Sequence, residues 1–503
     1  MVLSRTTARG RPTFAGGCHM SIDPEQPIPL YFQLKTLLLQ AMIRGDYGPG
    51  DRLPTEHELC ERYGLSRTPV GRALSELAEE GVILRHRRRG TFVNPHWAPR
   101  RGTELRIVVP AEGPWEGLIH KTAPDDLAIS VVAVPRSDLY HTLTHAVAEG
   151  QAPDLAVLDS VWMPEFAASG FLHPLEDLDE TWIRAEFETD FLPPLITANR
   201  YQGGTYAVSL SADVAGLWYR RNELQRLDLE PPETWADLSA VGHALLGDGI
   251  THPLALPGGS KGAETTTYCL LAFLASNGVE VLGPGAVTLG QPRTVQALTF
   301  LRQLVEEELL PAEAVGYEWN RPIRLLARGQ AGISFGGSYE ARALAEKMDV
   351  ELGELADHVG FIPIPRGPEG GAPASLAGTM VCGIFRQAAH PLLAWRLLRH
   401  LTAPEPLAAI GTATGRIPPR RSAIELIDDD PLLDTAVGVL EKAVIRPRTP
   451  VYPRVTAQLQ SMLEASLLGQ LSPAQAASRA AELISAITGL PLSDTLVDAS
   501  HSG

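Results

Sequence analysis

The chain has 503 residues, of which 44% are hydrophobic and 20% charged, and its net charge is −16. This length predicts two or three packing units with buried cores. No run approaches the ~20 apolar residues of a transmembrane helix, so we expect no membrane contact. The four cysteines are far apart, which excludes a disulfide framework or a zinc ribbon, and we expect no bound metal.

The charge is unevenly distributed along the chain. Residues 1–101, here called the head, carry 15 Lys and Arg against 10 Asp and Glu. The remaining residues, here called the body, carry 28 against 49. A basic head in front of an acidic body indicates that only the head meets a polyanion.

The first 24 residues are predicted to be a disordered tail. They contain positive charges but no apolar stretch behind them, although Ala-Gly-Gly-Cys at residues 15–18 resembles a lipoprotein cleavage box. Because the secretion machinery recognises a hydrophobic segment, we expect no export and a cytoplasmic location. Met20 is an alternative start to Met1.

Two helices are predicted at the start of the head. Apolar residues recur at helical spacing over residues 29–44, and Gly and Pro interrupt the pattern at residues 45–50. Thr55 is then a predicted N-cap, and Glu58 three residues later completes a capping box. Gly64 fits the C-terminal cap of this second helix.

A third helix is predicted between Ser66, its N-cap, and Gly81, which ends it. Its buried stripe consists of Val70, Leu74 and Leu77. The opposite face carries Arg67, Thr68, Gly71, Arg72 and Ser75. This pattern is typical of a recognition helix, whose N-terminal residues reach base edges and phosphates in the major groove of DNA.

A β-hairpin is predicted to follow, with residues 82–84 and 91–93 as its strands. Its tip, residues 85–90, reads Arg-His-Arg-Arg-Arg-Gly. A run of charges alone is usually a solvated surface. Directly after a recognition helix, it is instead predicted to be a wing that contacts the DNA backbone or minor groove.

Three ordered motifs make this region resemble the GntR family of bacterial regulators. Residues 53–59 (LPTEHEL), 66–70 (SRTPV) and 89–93 (RGTFV) correspond to the family's "LPSERELA", "SRTTV" and "GRGTFV" elements. The resemblance implies an α+β winged helix-turn-helix domain over residues 25–94. It also implies DNA contact at Thr55, Ser66, Arg67, Thr68 and Gly90.

Together with neighbouring exposed positions, the resemblance gives a predicted DNA-binding set. Its members are Thr55, His57, Ser66, Arg67, Thr68, Pro69, Arg72, Arg87, Arg88, Arg89 and Gly90. The family usually has arginine at the position of Gly71 and often a polar residue such as arginine at that of His57. Arg72 lies about 100° further round the helix and replaces the missing arginine only in part.

A Pro/Gly/Arg-rich linker is predicted over residues 95–104, and the body begins at residue 105. Strands are predicted at residues 105–109, 129–134 and 154–158, with a helix over residues 139–149 between the last two. Alternating strands and helices indicate α/β layers with a mostly parallel sheet. Ligands of such folds bind at the carboxyl ends of the strands.

Aromatic and acidic residues follow several of these strands. Rings stack on the CH groups of a sugar and carboxylates accept hydrogen bonds from its hydroxyls, although each ring alone is as typical of an ordinary core. The candidate ligand residues are Trp115, Glu116, Asp159, Trp162, Asp213, Tyr219 and Tyr339.

Residues 105–492 also resemble the maltose-binding-like class of bacterial extracellular solute-binding proteins. The family's crossover segment is similar to residues 202–208 and 217–221. Its "P-P-x-T-W-x-E-L" element is similar to residues 231–238. Later elements of the family are resembled, in the same order, by residues 329–339, 361–378, 394–395 and 414–418. The segment 361–378 adds Gly378 to the candidate ligand residues.

This resemblance implies a two-lobed, type II periplasmic-binding-protein-like body. The first lobe would comprise about residues 105–210 and 376–422, and the second about residues 211–365 and 423–492. The chain would cross between them near residues 208–216 and 363–377. A ligand would bind in the cleft and close the lobes around it.

These features favour a regulator that senses a small molecule and binds a palindromic DNA operator as a homodimer. A sugar or oligosaccharide is the favoured effector, and a peptide, a polyamine or another small solute is the alternative. An exported transport receptor is a second interpretation, disfavoured by the basic head.

The third interpretation is an aminotransferase-like enzyme fused to a GntR head, which would need a lysine that binds pyridoxal phosphate. The chain has five lysines, and only Lys261, in Ser260-Lys261-Gly262, stands in a remotely similar context. We therefore expect no enzymatic activity and no cofactor.

Overall fold

The computed structural model describes residues 22, 30–43, 46–79, 81–86, 89–97, 104–368, 372–428 and 430–493. The chain divides into two compact units, Met1–Arg101 and Gly102–Gly503. The predicted tail except Ile22, most of the predicted linker, and the wing residues Arg87 and Arg88 lie outside the described residues.

The head contains three helices followed by a hairpin, as the sequence predicts. The elements are α1 (Leu30–Ile43), α2 (Glu56–Tyr63), α3 (Arg67–Glu79), β1 (Ile83–His86) and β2 (Gly90–Val93). The predicted capping box is confirmed, since Thr55 and Glu58 exchange hydrogen bonds at the start of α2. Gly64 caps its end in the left-handed conformation with φ 66°.

One small core holds the head together. The apolar stripe of α3 is fully buried against α1, α2 and the hairpin. Its buried members include Leu34, Leu38, Leu59, Val70, Leu74, Leu77 and Val93. This packing fixes the exposed face of α3 relative to the hairpin, whose strands pair antiparallel from Ile83–Val93 to His86–Gly90.

The body is built on one eight-stranded sheet. Its strands are β3 (Leu105–Pro110), β4 (Ile129–Val134), β5 (Leu155–Asp159), β8 (Ala207–Arg220), β9 (His252–Ala255), β12 (Ala331–Gly337), β13 (Val359–Ile362) and β14 (Ala377–Ile384). Two-residue strands pair beside it, namely β6 (Arg200–Tyr201) with β7 (Gly204–Thr205) and β10 (Leu282–Gly283) with β11 (Ala286–Val287).

The prediction of a mostly parallel sheet is wrong, because the sheet is mixed. The strand order is β4-β3-β5-β14-β8-β12-β9, and β13 also pairs with β8. The pairs β3–β4, β3–β5 and β12–β9 are parallel. Each pairing of β8 or β14 is antiparallel, since these strands return the chain between two halves of the fold.

Strand β8 belongs to both lobes. Its residues Ala207–Val214 pair with β14, which continues to β5 in the first lobe. Its residues Ala215–Arg220 pair with β12 and β13 in the second lobe. The strand is buried over almost its whole length, and the two lobes meet near its middle.

Helices cover both faces of the sheet. They are α4 (Trp115–Thr122), α5 (Arg136–Ala148), α6 (Met163–Ala168), α7 (Glu176–Trp182), α8 (Glu188–Asp190), α9 (Pro193–Ala198), α10 (Arg221–Arg226), α11 (Trp235–Gly247), α12 (Ala263–Ser276), α13 (Pro292–Glu306), α14 (Arg321–Ala327), α15 (Ala341–Met348), α16 (Leu355–His358), α17 (Pro391–Leu401), α18 (Pro404–Thr414), α19 (Arg421–Ile424), α20 (Pro431–Leu440), α21 (Tyr452–Leu467) and α22 (Pro473–Thr488). Short 3-10 turns span Ser160–Trp162, Ser260–Gly262, Ala312–Gly316, Ser338–Glu340 and Leu352–Glu354, and a π-turn spans Ile183–Phe187.

Each lobe has its own core. In the first lobe, apolar residues of β3, β5 and β14 pack against α4, α7, α17 and α18. In the second lobe, residues of β8, β9 and β12 pack against α11, α12, α13, α21 and α22. A third buried cluster packs residues of both lobes together, among them Leu192 and Ile417 of the first lobe and Ile323 and Leu344 of the second.

Candidate functional site

The start of α3 presents an exposed polar surface on the head. Ser66, Arg67 and Thr68 are exposed, and Pro69 is half-buried. The buried stripe begins at Val70, so the first turn of the helix projects from the packed part of the head. This is the geometry in which a recognition helix offers its N-terminal side chains to the major groove.

Arg72 is held against α1 instead of standing clear of the head. Its Nη2 donates to Tyr31 Oη at 3.0 Å, and its Nε lies 3.1 Å from Glu76 Oε1. The guanidinium also lies 3.7 Å from the centre of the Tyr31 ring. These contacts join α3 to α1, where Lys35 Nζ adds an ion pair to Glu76 at 3.3 Å.

The residues at the start of α2 are exposed but engaged locally. Thr55 uses its hydroxyl in the capping box, and its backbone and hydroxyl hydrogen bonds lower the pKa of Glu58. His57 Nε2 lies 3.3 Å from Glu61 Oε1 on the same helix.

The end of the wing tip combines Gly90 with two arginines. Gly90 has a φ of +111°, which favours glycine, and Arg89 beside it is exposed. The guanidinium of Arg52 lies over Gly90, although the sequence analysis did not select Arg52.

In the body, Asp213 is the centre of a hydrogen-bonded cluster. It stands on β8 near the point where that strand changes partners from β14 to β12. Its Oδ1 accepts a hydrogen bond from Tyr268 Oη at 2.7 Å, and its Oδ2 accepts one from Arg416 Nη1 at 2.7 Å. Gly378 is its partner across the sheet, and a Cβ at Gly378 would clash with Asp213 Oδ1.

Two tyrosine rings lie beside this carboxylate. The rings of Tyr268 and Tyr339 are 6.3 Å apart, and the guanidinium of Arg416 lies 5.5 Å from the centre of the Tyr339 ring. Tyr339 Oη is 3.3 Å from Thr265 Oγ1. Burial raises the pKa of both tyrosines well above the ordinary value, so their hydroxyls stay protonated, and that of Tyr268 donates to Asp213.

The first lobe contributes an arginine–aspartate pair to the same region. Arg136 Nη2 donates to Asp159 Oδ2 at 2.7 Å, and 49% of the Arg136 side chain is exposed. Partial burial lowers the pKa of Arg136, but the charge of Asp159 raises it overall. The turn Ser160–Trp162, which follows Asp159, packs against α21 of the second lobe.

A second ion pair lies beside Tyr268 in the second lobe. Arg446 Nε lies 2.8 Å from Glu264 Oε1, and the Arg446 guanidinium lies 4.8 Å from the centre of the Tyr268 ring. Tyr452 Oη donates to Glu264 at 2.6 Å, and Thr456 donates to its other oxygen at 2.9 Å. This network fixes the orientation of both charged groups.

The structure brings four of the predicted ligand residues into this region, namely Asp159, Asp213, Tyr339 and Gly378. Arg136, Tyr268, Arg416, Arg446 and Glu264 also belong to it, and the sequence analysis did not select them. The sequence gives little indication of these residues, because the partners are far apart in the chain. Arg416 is 203 residues from Asp213, and Tyr268 is 55 residues from it.

The other four predicted ligand residues make no hydrogen bond, ion pair or ring contact with the side chains of this cluster among the described residues. Trp115 is buried in the core of the first lobe, and Tyr219 is buried in the core of the second, six residues along β8 from Asp213. Trp162 is half-buried with its ring 5.6 Å from that of Tyr140. Glu116 is exposed on α4.

The described part of the chain contains no group of three or more His, Cys, Asp or Glu arranged to hold a metal ion. None of its helices has the length and apolar character needed to cross a membrane.

Both parts of the chain match known families. The body matches the bacterial extracellular solute-binding protein family over residues 108–408. The head matches the bacterial regulatory proteins of the gntR family over residues 30–93.

Two regulators of Bacillus subtilis resemble the head. The HTH-type transcriptional regulator YurK is 46% identical over 80 residues, which cover 16% of this chain and 32% of YurK. The HTH-type transcriptional repressor NagR is 41% identical over 75 residues, which cover 15% of this chain and 31% of NagR. The chain thus spans about a third of the length of these regulators.

The body resembles other proteins over longer alignments than the head does, and at lower sequence identity. A Brucella abortus protein named as a binding protein is 22% identical over 353 residues, 69% of this chain and 82% of the relative. A solute-binding protein of an ABC transporter from Thermotoga lettingae, solved with α-D-tagatose, has a TM-score of 0.66 at 23% identity. It covers 77% of this chain and 100% of its own.

Maltose-bound MalE3 of T. maritima has a TM-score of 0.65 at 24% identity, covering 76% of this chain and 99% of its own. These solved structures establish the two-lobed fold of the body. The chain belongs to the bacterial extracellular solute-binding protein family and carries a head that matches the gntR family of regulatory proteins.

Proposed function

We propose that the body binds a sugar or oligosaccharide in the cleft and that this binding changes the affinity of the head for a DNA operator. The observation that carries the proposal is the Asp213 carboxylate, held at the crossover strand by Tyr268 and Arg416. It stands where the two lobes meet, so a ligand that contacts it also contacts the hinge region.

The charges around the cleft favour a neutral, hydroxyl-rich ligand. The arginines pair one to one with carboxylates, namely Arg136 with Asp159, Arg416 with Asp213 and Arg446 with Glu264. A balanced set presents oriented donors and acceptors without a net charge that an ionic ligand would have to neutralise. The half-buried ring of Tyr339 beside them suits the CH groups of a sugar ring.

The solved relatives support the same ligand class. The Thermotoga lettingae protein was solved with α-D-tagatose and MalE3 with maltose. Both have the fold of this body, and a monosaccharide and a disaccharide therefore define the range of ligand sizes to examine first.

A change in the angle between the lobes would carry the signal to the head. A ligand shifts this equilibrium only if it binds the closed arrangement more tightly than the open one, which contacts from both lobes provide. Helix-turn-helix regulators usually bind palindromic sites as dimers, so we expect a homodimer whose two heads change their spacing.

The test adds a panel of neutral sugars to the full chain. Uronic acids and amino sugars of matched size are the charged comparison. A neutral sugar at a hundred times its dissociation constant should add about 2.7 kcal/mol to the free energy of unfolding. The same sugar should then change the affinity for an operator selected from fragmented genomic DNA. Stabilisation by none of the sugars, with DNA binding intact, would contradict the proposal.

Cell fractionation tests the proposed cytoplasmic location. A DNA-binding regulator acts in the compartment that holds the chromosome, whereas an exported receptor would be recovered outside the inner membrane. Recovery of the full chain from the periplasm would contradict regulation and favour the transport receptor.

A further inference from the structure

The arginines of the head divide into two groups by their partners. Arg62 donates to Tyr47 Oη at 3.3 Å, Arg72 contacts Tyr31 and Glu76, and Arg85 contacts Glu56 and Ser75. These guanidinium groups stabilise the head itself. The guanidinium groups of Arg52, Arg67 and Arg89 make no hydrogen bond or ion pair with another described residue.

Arg52 stands on a rigid backbone although its side chain is exposed. It forms an antiparallel bridge with Phe92, so residues 50–53 add a short third strand to the wing sheet. Leu53 N donates to Thr91 O at 2.9 Å, and Val93 N donates to Asp51 O at 2.9 Å. Backbone hydrogen bonds on both sides of Arg52 therefore fix its position relative to β2.

The side chain of Arg52 covers Gly90, the last residue of the wing tip. A Cβ placed on Gly90 would lie 2.9 Å from Arg52 Nε and 3.4 Å from Nη2. Glycine at position 90 adopts a φ of +111° and also leaves the space in which the guanidinium lies. The charge of Arg52 thus adds to that of the wing tip, next to Arg89.

We propose that Arg52 binds a phosphate of the DNA backbone where the wing meets the duplex. A planar guanidinium with exposed N–H groups is suited to a phosphate, which it can hold with two parallel hydrogen bonds. Arg52 has no hydrogen bond or ion pair with a described residue to break, in contrast to Arg72 and Arg85, although its charge also acts on Glu58. The inference concerns the DNA-binding head alone and is independent of the ligand cleft.

The test measures the affinity of the full chain for a fluorescent random-sequence duplex over a range of salt concentrations. A phosphate contact is independent of sequence, so no operator is required. The variant Arg52→Ala should lower the affinity and reduce the slope of log K against log salt by about 0.9. The variant Arg52→Lys should keep the slope, because it keeps the charge.

The matched control is Arg62→Ala, which removes an exposed arginine that is bound to Tyr47. Its salt slope should equal that of the wild type. The melting temperature of each variant shows whether the head stays folded, and Arg52→Gln replaces Arg52→Ala if the latter unfolds. An unchanged salt slope in a folded Arg52→Ala or Arg52→Gln variant would overturn the inference, and so would equal losses from Arg52→Ala and Arg62→Ala.

Discussion

The carboxylate of Asp213 lies 2.7 Å from the guanidinium of Arg416, although 203 residues separate them in the chain. Arg416 stands just before Ile417, which bridges to Ala212 on β8. The other carboxylate oxygen accepts from Tyr268 of the second lobe. One buried side chain at the crossover thus joins the loop after α18 to helix α12, and its removal should affect both stability and ligand binding.

Asp213→Asn should lower the free energy of unfolding by about 1–3 kcal/mol. An amide keeps the volume of the carboxylate but has one acceptor oxygen, so Tyr268 or Arg416 loses its partner. Chemical denaturation measures this loss, and the same variant should lose the stabilisation by the sugar that the wild type binds.

The control for this variant is Asp126→Asn. Asp126 also pairs with an arginine at 2.8 Å, but 62% of its side chain is exposed. Exposed ion pairs contribute about 0–1 kcal/mol, so the control should change neither stability nor ligand binding substantially. Equal effects of both substitutions would mean that Asp213 has no special role.

Gly378→Ala should disrupt the site through a single methyl group. The added Cβ would collide with Asp213 Oδ1, and both residues are on paired, buried strands that cannot move apart freely. We expect a loss of about 1–3 kcal/mol of stability, as in other overpacked cores, together with weaker sugar binding. Thermal unfolding with and without the sugar measures both effects.

Gly438→Ala is the matched control for Gly378→Ala. No described atom lies within 4 Å of a Cβ at Gly438, which is an exposed position within α20. Alanine there should stabilise the helix by up to about 1 kcal/mol. If Gly378→Ala behaved in the same way, the close approach to Asp213 would be unimportant.

Motifs of a few consecutive residues were enough to predict the helices and hairpin of the head. The cluster around Asp213 could not be predicted in this way, because its members are distant from one another in sequence. The capping box of Thr55 and Glu58 needs only four consecutive residues, and the structure confirms it. The directions of β8 and β14 are set by pairing across the sheet, which the alternation of strands and helices does not encode. Trp115 follows a strand as a ligand-binding aromatic residue would, yet it fills a core, because an aromatic side chain suits either environment.

Glu340→Gln should make stability less dependent on pH. Glu340 is 2% exposed and accepts a hydrogen bond from Gly337 N at 3.1 Å. Burial raises its pKa to about 8, while that hydrogen bond lowers it and Asp213 raises it further. The folded protein therefore keeps a proton that the unfolded chain loses near its ordinary pKa of 4.5.

Between these two pKa values the folded state binds more protons, so stability should fall as the pH rises and level off above about 8. The glutamine variant lacks this titration and should gain stability relative to the wild type by a few kcal/mol between about pH 5 and about pH 8. Denaturant unfolding at both pH values measures the difference. Glu306→Gln, with 61% of the side chain exposed, should show no such gain, and a parallel pH profile for Glu340→Gln would contradict the prediction.

Gly71→Arg should strengthen DNA binding by restoring the arginine that GntR-type heads usually carry at this position of α3. No described atom lies within 4 Å of a Cβ at Gly71, so the side chain has room to extend. Arg72 does not supply this charge, because Tyr31 and Glu76 hold its guanidinium against the head. We expect a higher affinity for duplex DNA and a salt slope steeper by about 0.9.

Gly71→Ala separates the new contact from the helix itself. Both substitutions replace a helical glycine and should stabilise α3 by up to about 1 kcal/mol, but only arginine adds a charge. The alanine variant should therefore melt at a higher temperature and keep the salt slope of the wild type. If the arginine variant also kept that slope, the face of α3 at position 71 would not meet the DNA backbone, and α3 would have to dock through Arg67 in a different orientation.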